Sequence, residues 1–452
     1  MNEHDGLRTF LIIWFGQTIS MLGTAMTSFA LTIWAYDQTG KATTLALQGF
    51  FMYFSYSLVG LVSGVWVDRW DRRRVMILSD LGAALITLGL LGLYSTGGMR
   101  IGHLYAAQLL SGVFSAFQSP ANSAVMTLLI PRKHLVRANG LQTLGQNTSQ
   151  ILSPVFAGLL LLAIGLRGVM VIDLTTALFA IGTLLSMRIP RPPVSAEGQR
   201  ALSANRWQTF TFGLRYIAQR RGLLGMMVVY MLINLYAGLT WFGVLSAMIL
   251  SRSGGSETTL SAVQSALGLG GVLGGVILTV WGGPKRKVHG MLGIAGISFL
   301  LGDGILGLGQ TPAVWIAGAF LGSLAVPTLI SSNRSIWQSK VPSDIQGRVL
   351  GAAMALQSIT TPIGYLVAGP LADDLLEPAM RAGGTFTSVF GPITGTGPGA
   401  GMAVMFLLTS LAGCLTCFGG YLIRDLRNVE RNLPDAPESV LTRQAEAAPV
   451  GD

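Results

Sequence analysis

Twelve long apolar stretches, separated by short polar segments, dominate the pattern of hydrophobic and polar positions along this 452-residue chain. Each stretch has about the 20 mostly apolar residues that an α-helix needs to cross the hydrocarbon core of a bilayer. Helices are the expected spanning elements because unpaired peptide groups in lipid are energetically prohibitive. The pattern predicts an all-α membrane protein with twelve transmembrane helices, here called spans one to twelve. They are 10–36, 45–67, 75–96, 103–130, 139–165, 169–188, 222–250, 259–281, 290–309, 313–338, 347–371 and 401–423.

The composition supports a chain that lies in a lipid bilayer. Hydrophobic residues make up 51% of the chain and charged residues only 11%, whereas soluble domains carry about 25% charged residues. The net charge of +10 does not indicate a nucleic-acid partner, because the cations occur in short clusters between apolar stretches. The only cysteines, Cys414 and Cys417, lie inside one apolar stretch. Neither a disulfide framework nor a metal site is therefore predicted, and no cofactor is expected.

The distribution of basic residues predicts the orientation. If the spans alternate in direction, most of the 30 Lys and Arg residues lie on the side of the N-terminus, and such an excess marks the cytoplasmic side. Both termini are therefore expected in the cytoplasm, with the protein in the plasma (inner) membrane. The first apolar stretch is longer than the core of about 7–15 residues in a cleaved signal peptide, so it is expected to remain as span one.

A shift of the chain by 211 residues aligns its second half with its first. The matching pairs include Trp70 with Trp281, Asn122 with Asn333, Pro131 with Pro342, Arg137 with Arg348 and Gln146 with Gln357. Polar and proline matches at one constant offset indicate two related six-span bundles, as in transporters whose halves are related by an axis along the membrane normal. A channel or a receptor gives no reason for this duplication.

Four segments follow from the repeat. Residues 1–188 form the N-terminal bundle, and residues 222–425 form the C-terminal bundle. Residues 189–221 form a cytoplasmic linker in which apolar side chains recur at helical spacing, which fits a helix on the inner leaflet or a helical extension of span seven. Residues 426–452 are expected to form a disordered cytoplasmic tail.

The stretch GVWVDRWDRR at 64–73 places Asp68 and three arginines at the inner end of span two. Its counterpart in the second half, GVILTVWGGPKRK, has Thr279 at the position of Asp68. A signal for topology alone would need only cations, so an acid in one half indicates a further role. The alternative is that these residues only set the orientation of the spans.

This stretch resembles the loop 2–3 signature of the major facilitator superfamily, G-x-x-x-D-R-x-G-R-R, with Asp71 in place of the second glycine. The chain is also similar to a drug-exporting branch that includes macrolide-efflux proteins and siderophore exporters. That similarity rests on GQTISMLGTAMTSFAL (16–31), QTGKAT (38–43), FQSPANSAVMTLLIP (117–131), ILSPVFAG (151–158), EPAM and GTGPGAGMA.

The resemblance implies the major facilitator fold, with two pseudo-symmetric six-helix bundles and a conformational switch at the inner face. Asp68 would meet the inner end of span eleven, and the arginines would pair with carboxylates or helix-end carbonyls. Such contacts would form when the cytoplasmic side is shut and break when it opens. The implied switch residues are Gly64, Asp68, Arg69, Arg72, Arg73 and Asp80.

The segment ILSPVFAG is similar to the exporter motif of span five, G-P-x-x-G-G, with Ser153 and Ala157 replacing two glycines. Pro154 removes a helix hydrogen bond and is expected to bend the span, while Ser153 and Gly158 allow close helix contact. Ordinary helix packing is the alternative role for these residues. The sequence contains no Walker motif, so an ion gradient is expected to drive the protein instead of ATP hydrolysis.

Acids inside the spans are candidates for proton coupling, because a charge in the membrane is costly and needs a reason. Asp173 in span six and Asp303 in span nine are these candidates. A structural role is the alternative for each, and Asp173 could pair with Arg167. Similar exporters often carry an acid in span one, where this chain has Thr24, and an arginine in span four, where it has neutral polar residues.

In the resembling family, spans one, four, five, seven, ten and eleven line the substrate cavity. Neutral amides and an indole on these spans suit a bulky amphipathic solute, and helix–helix hydrogen bonding is the alternative role. The candidate cavity residues are Gln17, Gln118, Asn122, Gln146, Asn147, Asn234, Trp241, Asn333 and Gln357.

The sequence thus predicts a monomeric secondary transporter that exports a hydrophobic or amphipathic small molecule, such as a drug, macrolide or siderophore. Alternating access of the two bundles, driven by proton antiport, is the expected mechanism. A nutrient uptake permease on the same fold is the alternative. An enzyme is not expected, because the four histidines are scattered among ends and loops.

Overall fold

The computed structural model describes residues 3–130, 135–187, 206–342 and 345–433, and this part of the chain is helical without a β-strand. In the N-terminal bundle, spans one to four are Glu3–Thr39, Ala42–Arg69, Arg72–Ser95 and Ile101–Leu129, and spans five and six form Leu135–Ser186. Span seven is Arg221–Leu239 continued by Leu245–Arg252, span eight is Glu257–Trp281, and span ten is Pro312–Leu324 with Val326–Lys340. Span twelve is Ala400–Gly419.

Spans nine and eleven each contain a π-helical segment, a local widening that occurs frequently at functional sites. Span nine consists of Lys287–Met291, Gly293–Ser298, the π-segment Phe299–Asp303 and Gly304–Leu308. Span eleven consists of Gln346–Pro370, the π-segment Leu371–Leu376 and Glu377–Met380. Shorter helices outside the spans are Arg206–Ala218, Thr387–Thr394, Gly420–Leu422, Arg424–Arg427 and Val429–Asn432.

Nine helices within the described ranges are long and apolar enough to cross a membrane. One of them, Thr148–Ser186, contains both span five and span six, because the chain turns at Gly165 with φ of 66°. Glycine adopts this left-handed conformation without the steric penalty of a Cβ atom. The helices Ala42–Arg69 and Ile101–Leu129 stand at the predicted positions of spans two and four. The all-α membrane fold is confirmed, and the helices are consistent with twelve spans.

The structure argues against a linker helix that extends span seven and against disorder at the start of the C-terminal tail. The linker helix Arg206–Ala218 ends before Arg220, whose backbone is extended, so it is not a continuation of span seven. Arg424–Arg427 and Val429–Asn432 are helical, and the side chains of Leu426 and Val429 are fully buried. The predicted disorder is therefore wrong for residues 426–433, because apolar side chains anchor them to the bundle. Residues 188–205 and 434–452 lie outside the described part of the chain.

The buried hydrophobic side chains of the described residues form three separate cores. On the predicted outer side, one core combines side chains of both bundles, for example Leu31 with Met248. On the predicted inner side there are two further cores, one around Met76 in the N-terminal bundle and one around Trp337 in the C-terminal bundle. The two bundles are therefore packed together at their outer ends and have separate cores at their inner ends.

Candidate functional site

A cavity of about 510 Å³ lies within the N-terminal bundle, a volume typical of small-molecule sites. Its walls come from spans one to six, although the prediction also included spans of the C-terminal bundle. Gln17, Gln118, Asn122 and Gln146 line this cavity as predicted. The side chain of Asn147 lies outside the described part of the chain. Apolar and aromatic side chains form most of the remaining wall.

The predicted cavity residues of the C-terminal bundle are engaged elsewhere. Asn234 donates to the backbone oxygen of Gln357 at 2.9 Å, a hydrogen bond between spans seven and eleven. Asn333 accepts from the indole N–H of Trp337 at 3.1 Å within span ten. Trp241 donates its indole N–H to a buried carboxyl group of span nine. These hydrogen bonds fit the alternative role of the residues in helix packing. In this conformation the residues do not line the cavity as predicted.

Asp80 forms a polar cluster with two glutamines in the cavity wall. Its side chain is only 5% exposed. Its two oxygens accept from Gln17 Nε2 at 2.7 Å and from Gln118 Nε2 at 2.5 Å, and the Gln118 amide also lies 3.0 Å from Gln17 Oε1. The sequence pattern assigned Asp80 to the inner-face switch. The structure places it in the cavity instead, because its partners come from spans one and four.

Asp173 accepts hydrogen bonds from threonines of two other spans. The carboxyl group is 2% exposed, and Thr24 Oγ1 and Thr87 Oγ1 each donate to it at 2.9 Å. The hydrogen bonds described for Asp173 thus come from threonines, and not from Arg167, which was the alternative partner. Asp173 also lines the cavity, so an acid of span six reaches the same space as Asp80.

Asp303 lies at the end of the π-segment of span nine and is 1% exposed. Trp241 Nε1 donates to one carboxyl oxygen at 2.7 Å. The hydroxyl groups of Thr409 and Thr240 donate to the other oxygen at 2.8 and 3.2 Å. The sequence suggested no partner for this acid because all three donors are distant along the chain.

The clusters around Asp173 and Asp303 stand at corresponding places in the two bundles. Spans one, three and six correspond, by their order, to spans seven, nine and twelve. Each cluster joins the first, third and sixth helices of its bundle through one carboxyl group and two threonine hydroxyl groups. The carboxyl group belongs to the sixth helix in the N-terminal bundle and to the third helix in the C-terminal bundle. The members are Thr24, Thr87 and Asp173 in the first bundle, and Thr240, Asp303 and Thr409 in the second.

Asp373 joins the two bundles at the predicted outer side. Its carboxyl group accepts from the backbone N–H groups of Ala42 at 3.1 Å and Thr43 at 2.8 Å, and from Thr43 Oγ1 at 2.6 Å. This acid of span eleven therefore caps the N-terminus of span two, where negative charge is favoured. Gly369 allows the approach, because a Cβ atom there would lie 2.3 Å from Thr43 Cα. Asp373 was not among the predicted site residues, because span eleven was predicted to end two residues before it. Two adjacent acids at the end of a span could have indicated a functional position.

Aromatic side chains continue this contact toward the middle of the protein. Tyr53 of span two stacks on Tyr365 of span eleven with ring centroids 5.6 Å apart. Phe242, between the two helical segments of span seven, lies 6.2 Å from each of these rings. The three rings form an aromatic contact between span two of the N-terminal bundle and spans seven and eleven of the C-terminal bundle.

The EPAM and GTGPGAGMA segments hold the start of span twelve. Glu377 accepts from the backbone N–H groups of Gly399 at 3.2 Å and Met402 at 3.0 Å. Gly399 has φ of 80°, and a Cβ atom at Gly401 would lie 2.4 Å from the backbone nitrogen of Glu377. The motif residues thus shape the outer loop before span twelve and do not face the cavity.

The inner loop between spans two and three is organised by Asp71 and Arg73. Asp71 caps span three by accepting from the backbone N–H groups of Arg73 at 3.0 Å and Arg74 at 3.3 Å. The guanidinium of Arg73 donates to the oxygens of Leu184 at 2.8 Å and Leu185 at 2.6 Å, at the inner end of span six. Arg73 thus meets helix-end carbonyls, but they belong to its own bundle. The contact is present while the inner ends of the two bundles have separate cores, so it is not a contact that forms only when the cytoplasmic side shuts. The surroundings of Gly64 and the side chains of Asp68 and Arg69 lie outside the described part of the chain.

Removing the cap of span three should destabilise the inner loop. We expect Asp71→Ala to lower the free energy of unfolding by about 1 kcal/mol, because two backbone N–H groups lose their acceptor. Asp71→Asn is the matched control, since asparagine also caps helices, and it should stay near the wild-type value. Thermal unfolding in detergent measures both. If both variants lost the same free energy of unfolding, the charge of Asp71 and not its capping hydrogen bonds would stabilise the inner loop.

The exporter-like segment of span five packs against span eight of the other bundle. Ser265 of span eight donates to the oxygen of Ile151 at 3.1 Å. A Cβ atom added at Gly158 would lie 3.5 Å from a serine of span eight, so the small residue brings the two helices into contact. Ser153 and Pro154 are buried on the same span, which stays helical through the proline.

This arrangement of helices and its sequence match a known family. Residues 13–365 match the Major Facilitator Superfamily. The chain belongs to the Major Facilitator Superfamily. The fold agrees, since a bacterial homologue of the human lysosomal transporter Spinster, in an inward-facing and unoccupied conformation, has a TM-score of 0.68 at 13% identity and covers 96% of this chain and 99% of its own.

Two relatives cover most of this superfamily member. The macrolide efflux protein A of Streptococcus pyogenes is 25% identical over 373 residues, which cover 80% of this chain and 89% of that protein. The multidrug efflux pump Tap of Mycolicibacterium fortuitum is 24% identical over 371 residues, with the same coverage of 80% and 89%. The family and the fold are those of multi-pass membrane transporters of small molecules, and not of enzymes.

Proposed function

We propose that this protein exports amphipathic small molecules across the plasma membrane by proton antiport. The observation that carries the proposal is a cavity of about 510 Å³ with apolar walls and buried carboxyl groups, in a two-bundle protein that is closed on the predicted outer side. A solute could enter such a cavity from the cytoplasm. The export direction is supported by the names of the two efflux relatives.

The cavity wall suits a solute that is largely apolar with a few polar groups. Trp14, Met21, Met52 and Phe114 provide apolar surface, and glutamine and serine side chains provide scattered hydrogen-bond groups. Pockets of this kind bind drug-sized ligands through apolar contact and use few polar groups for orientation. A macrolide, another drug or a siderophore of moderate size fits this description better than a sugar phosphate.

Asp173 and Asp303 are the proposed proton carriers. A carboxylate out of water costs free energy unless its charge is compensated. The hydrogen-bond partners described for both acids are neutral hydroxyl and indole groups. Proton binding removes the charge, and proton release restores it when the cluster meets water. One such cluster in each bundle gives each half of the protein a group that responds to the proton gradient.

The proposed alternating access uses two contacts between the same spans. In this structure Asp373 of span eleven caps span two on the outer side. In the opposite state, Asp68 of span two would meet the inner end of span eleven, and the Asp373 contact would be released. Solute and protons would thus reach the cavity from one side at a time, with both termini in the cytoplasm and the protein acting as a monomer.

Transport into inverted membrane vesicles tests the proposal. We expect vesicles that contain the protein to accumulate at least one compound from a panel of macrolides and siderophores when their lumen is acidified. Vesicles without the protein are the control, and a protonophore should abolish the accumulation. No gradient-driven accumulation across the panel would refute export by proton antiport. Accumulation only in right-side-out vesicles would instead favour the uptake permease.

A further inference from the structure

The charges around the cavity indicate a narrower class of substrate, and this inference rests on the proposed export function. Among the described residues, two carboxyl groups line the cavity, Asp80 and Asp173, while no Lys, Arg or His side chain does. A wall that offers negative charge without a protein cation is complementary to a positively charged ligand and unfavourable for an anion.

The two acids differ in their surroundings. Asp173 belongs to the threonine cluster that has a counterpart around Asp303 in the other bundle. Asp80 is outside both of these clusters, and its donors are the amide groups of Gln17 and Gln118. Glutamine side chains can rotate away from the carboxyl group and offer their own oxygens to a ligand. Asp80 can therefore exchange its amide donors for a ligand cation without breaking a helix.

Aromatic side chains line the same cavity as this carboxyl group. The ring of Phe114 packs against Gly82, where a Cβ atom would lie 2.4 Å from the ring, so glycine two residues after Asp80 makes room for the ring. The indole of Trp14 is oriented by its hydrogen bond to the oxygen of Leu141 at 2.9 Å, and both aromatic residues line the cavity. Organic cations bind where a carboxylate and aromatic faces occur together.

We propose that the cavity binds amphipathic molecules that carry a basic or quaternary nitrogen, with Asp80 as the counter-ion. The cationic group contacts the Asp80 carboxylate, and the apolar body lies along spans one and four. Gln17 and Gln118 turn their oxygens toward the cation and accept from any N–H group that it carries. Neutral amphiphiles of the same shape occupy the cavity without this contact. Asp80 is thus a specificity-determining residue, separate from the proton carriers Asp173 and Asp303.

Two probes that differ only in charge test this assignment. One is the ester of choline with naphthoic acid, and the other is its uncharged isostere, in which a tert-butyl group replaces the trimethylammonium group. Equilibrium dialysis with the purified full-length protein measures Kd for both. We expect the wild type to bind the cation about tenfold more tightly than the neutral probe, as a charge-assisted contact allows. Asp80→Asn should reduce this preference to about twofold or less and leave Kd for the neutral probe within about twofold.

Two further variants separate charge recognition from a structural effect. Asp80→Glu keeps the charge and should retain a preference for the cation even if Asp80→Asn folds poorly. Asp37→Asn removes an exposed acid of span one that does not line the cavity, and it should behave as the wild type. An equal loss of affinity for both probes in Asp80→Asn, or no charge preference in the wild type, would overturn the proposal.

The same experiments distinguish this inference from the proposed function. Gradient-driven export without any preference for the cationic probe would leave the export function in place and refute the role of Asp80. A charge preference that depends on Asp80, in a protein that drives no export in vesicles, would support the recognition site and refute the export function.

Discussion

Replacing Asp303 with asparagine is expected to lower gradient-driven accumulation of substrate about tenfold or more, because asparagine cannot bind and release a proton. The amide is nearly isosteric with the carboxyl group. Its oxygen can accept from Trp241, and its NH2 group can donate to the hydroxyl oxygens of Thr409 and Thr240, which can also act as acceptors. Binding and exchange of substrate without a gradient should therefore persist. The variant would convert a coupled transporter into an exchanger.

Proteoliposomes distinguish these two activities. Accumulation under an imposed proton gradient reports coupling, and counterflow of labelled substrate reports exchange. Thr409→Val is the matched control, because it removes one hydroxyl donor and leaves Asp303 with Trp241 and Thr240, so its loss of accumulation should be much smaller. Full accumulation by Asp303→Asn would exclude this acid as a proton carrier. Loss of counterflow as well would indicate a structural role.

Replacing Asp373 with asparagine is expected to shift the protein away from the outer-closed state. The carboxylate accepts two backbone N–H groups and one hydroxyl group of span two, and an amide would lose the charge and one acceptor. Loss of a charged helix cap costs about 1–2 kcal/mol, which changes the ratio of two states by about 5- to 30-fold. The outer-open population should rise by that factor.

Distances between spin labels on the outer loops measure this shift. Labels at Thr96 and Thr311 report one loop of each bundle, in a protein whose Cys414 and Cys417 are replaced by alanine. Asp373→Asn should enrich the longer distance. Asp374→Asn is the control, because this neighbouring acid is exposed, and it should leave the distribution unchanged. The same shift in both variants would point to a general charge effect and contradict the capping role.

Local features of the fold were predictable because they depend on neighbours in sequence. The boundary between spans five and six was placed at residue 165, and Gly165 is where the chain turns. Arg73 was expected at helix-end carbonyls, and it lies on those of Leu184 and Leu185. The first expectation follows from the break between two apolar stretches, and the second was implied by the resemblance to the family signature.

The candidate site was predictable only in part. Asp173 and Asp303 were recognised as costly acids, but the partners of both come from other spans, up to 149 residues away in the case of Thr24 and Asp173. The cavity was expected between both bundles, whereas its walls belong to spans one to six. Asn234 and Asn333 have the composition of cavity residues and form packing hydrogen bonds instead. Residue type does not reveal which face of a span meets which neighbour.

The class of this protein can be inferred from its sequence alone. Apolar stretches long enough to cross a bilayer, an offset repeat and clustered cations predict two six-helix bundles and their expected orientation. These properties are set by local hydrophobicity and charge. The folded structure was needed to show that Asp80 lines the cavity, that Asp373 contacts span two, and that the two threonine clusters stand at corresponding places in the bundles. Those relations depend on how helices distant in sequence pack against one another, and packing surfaces in a uniformly apolar chain leave little trace in the hydropathy pattern.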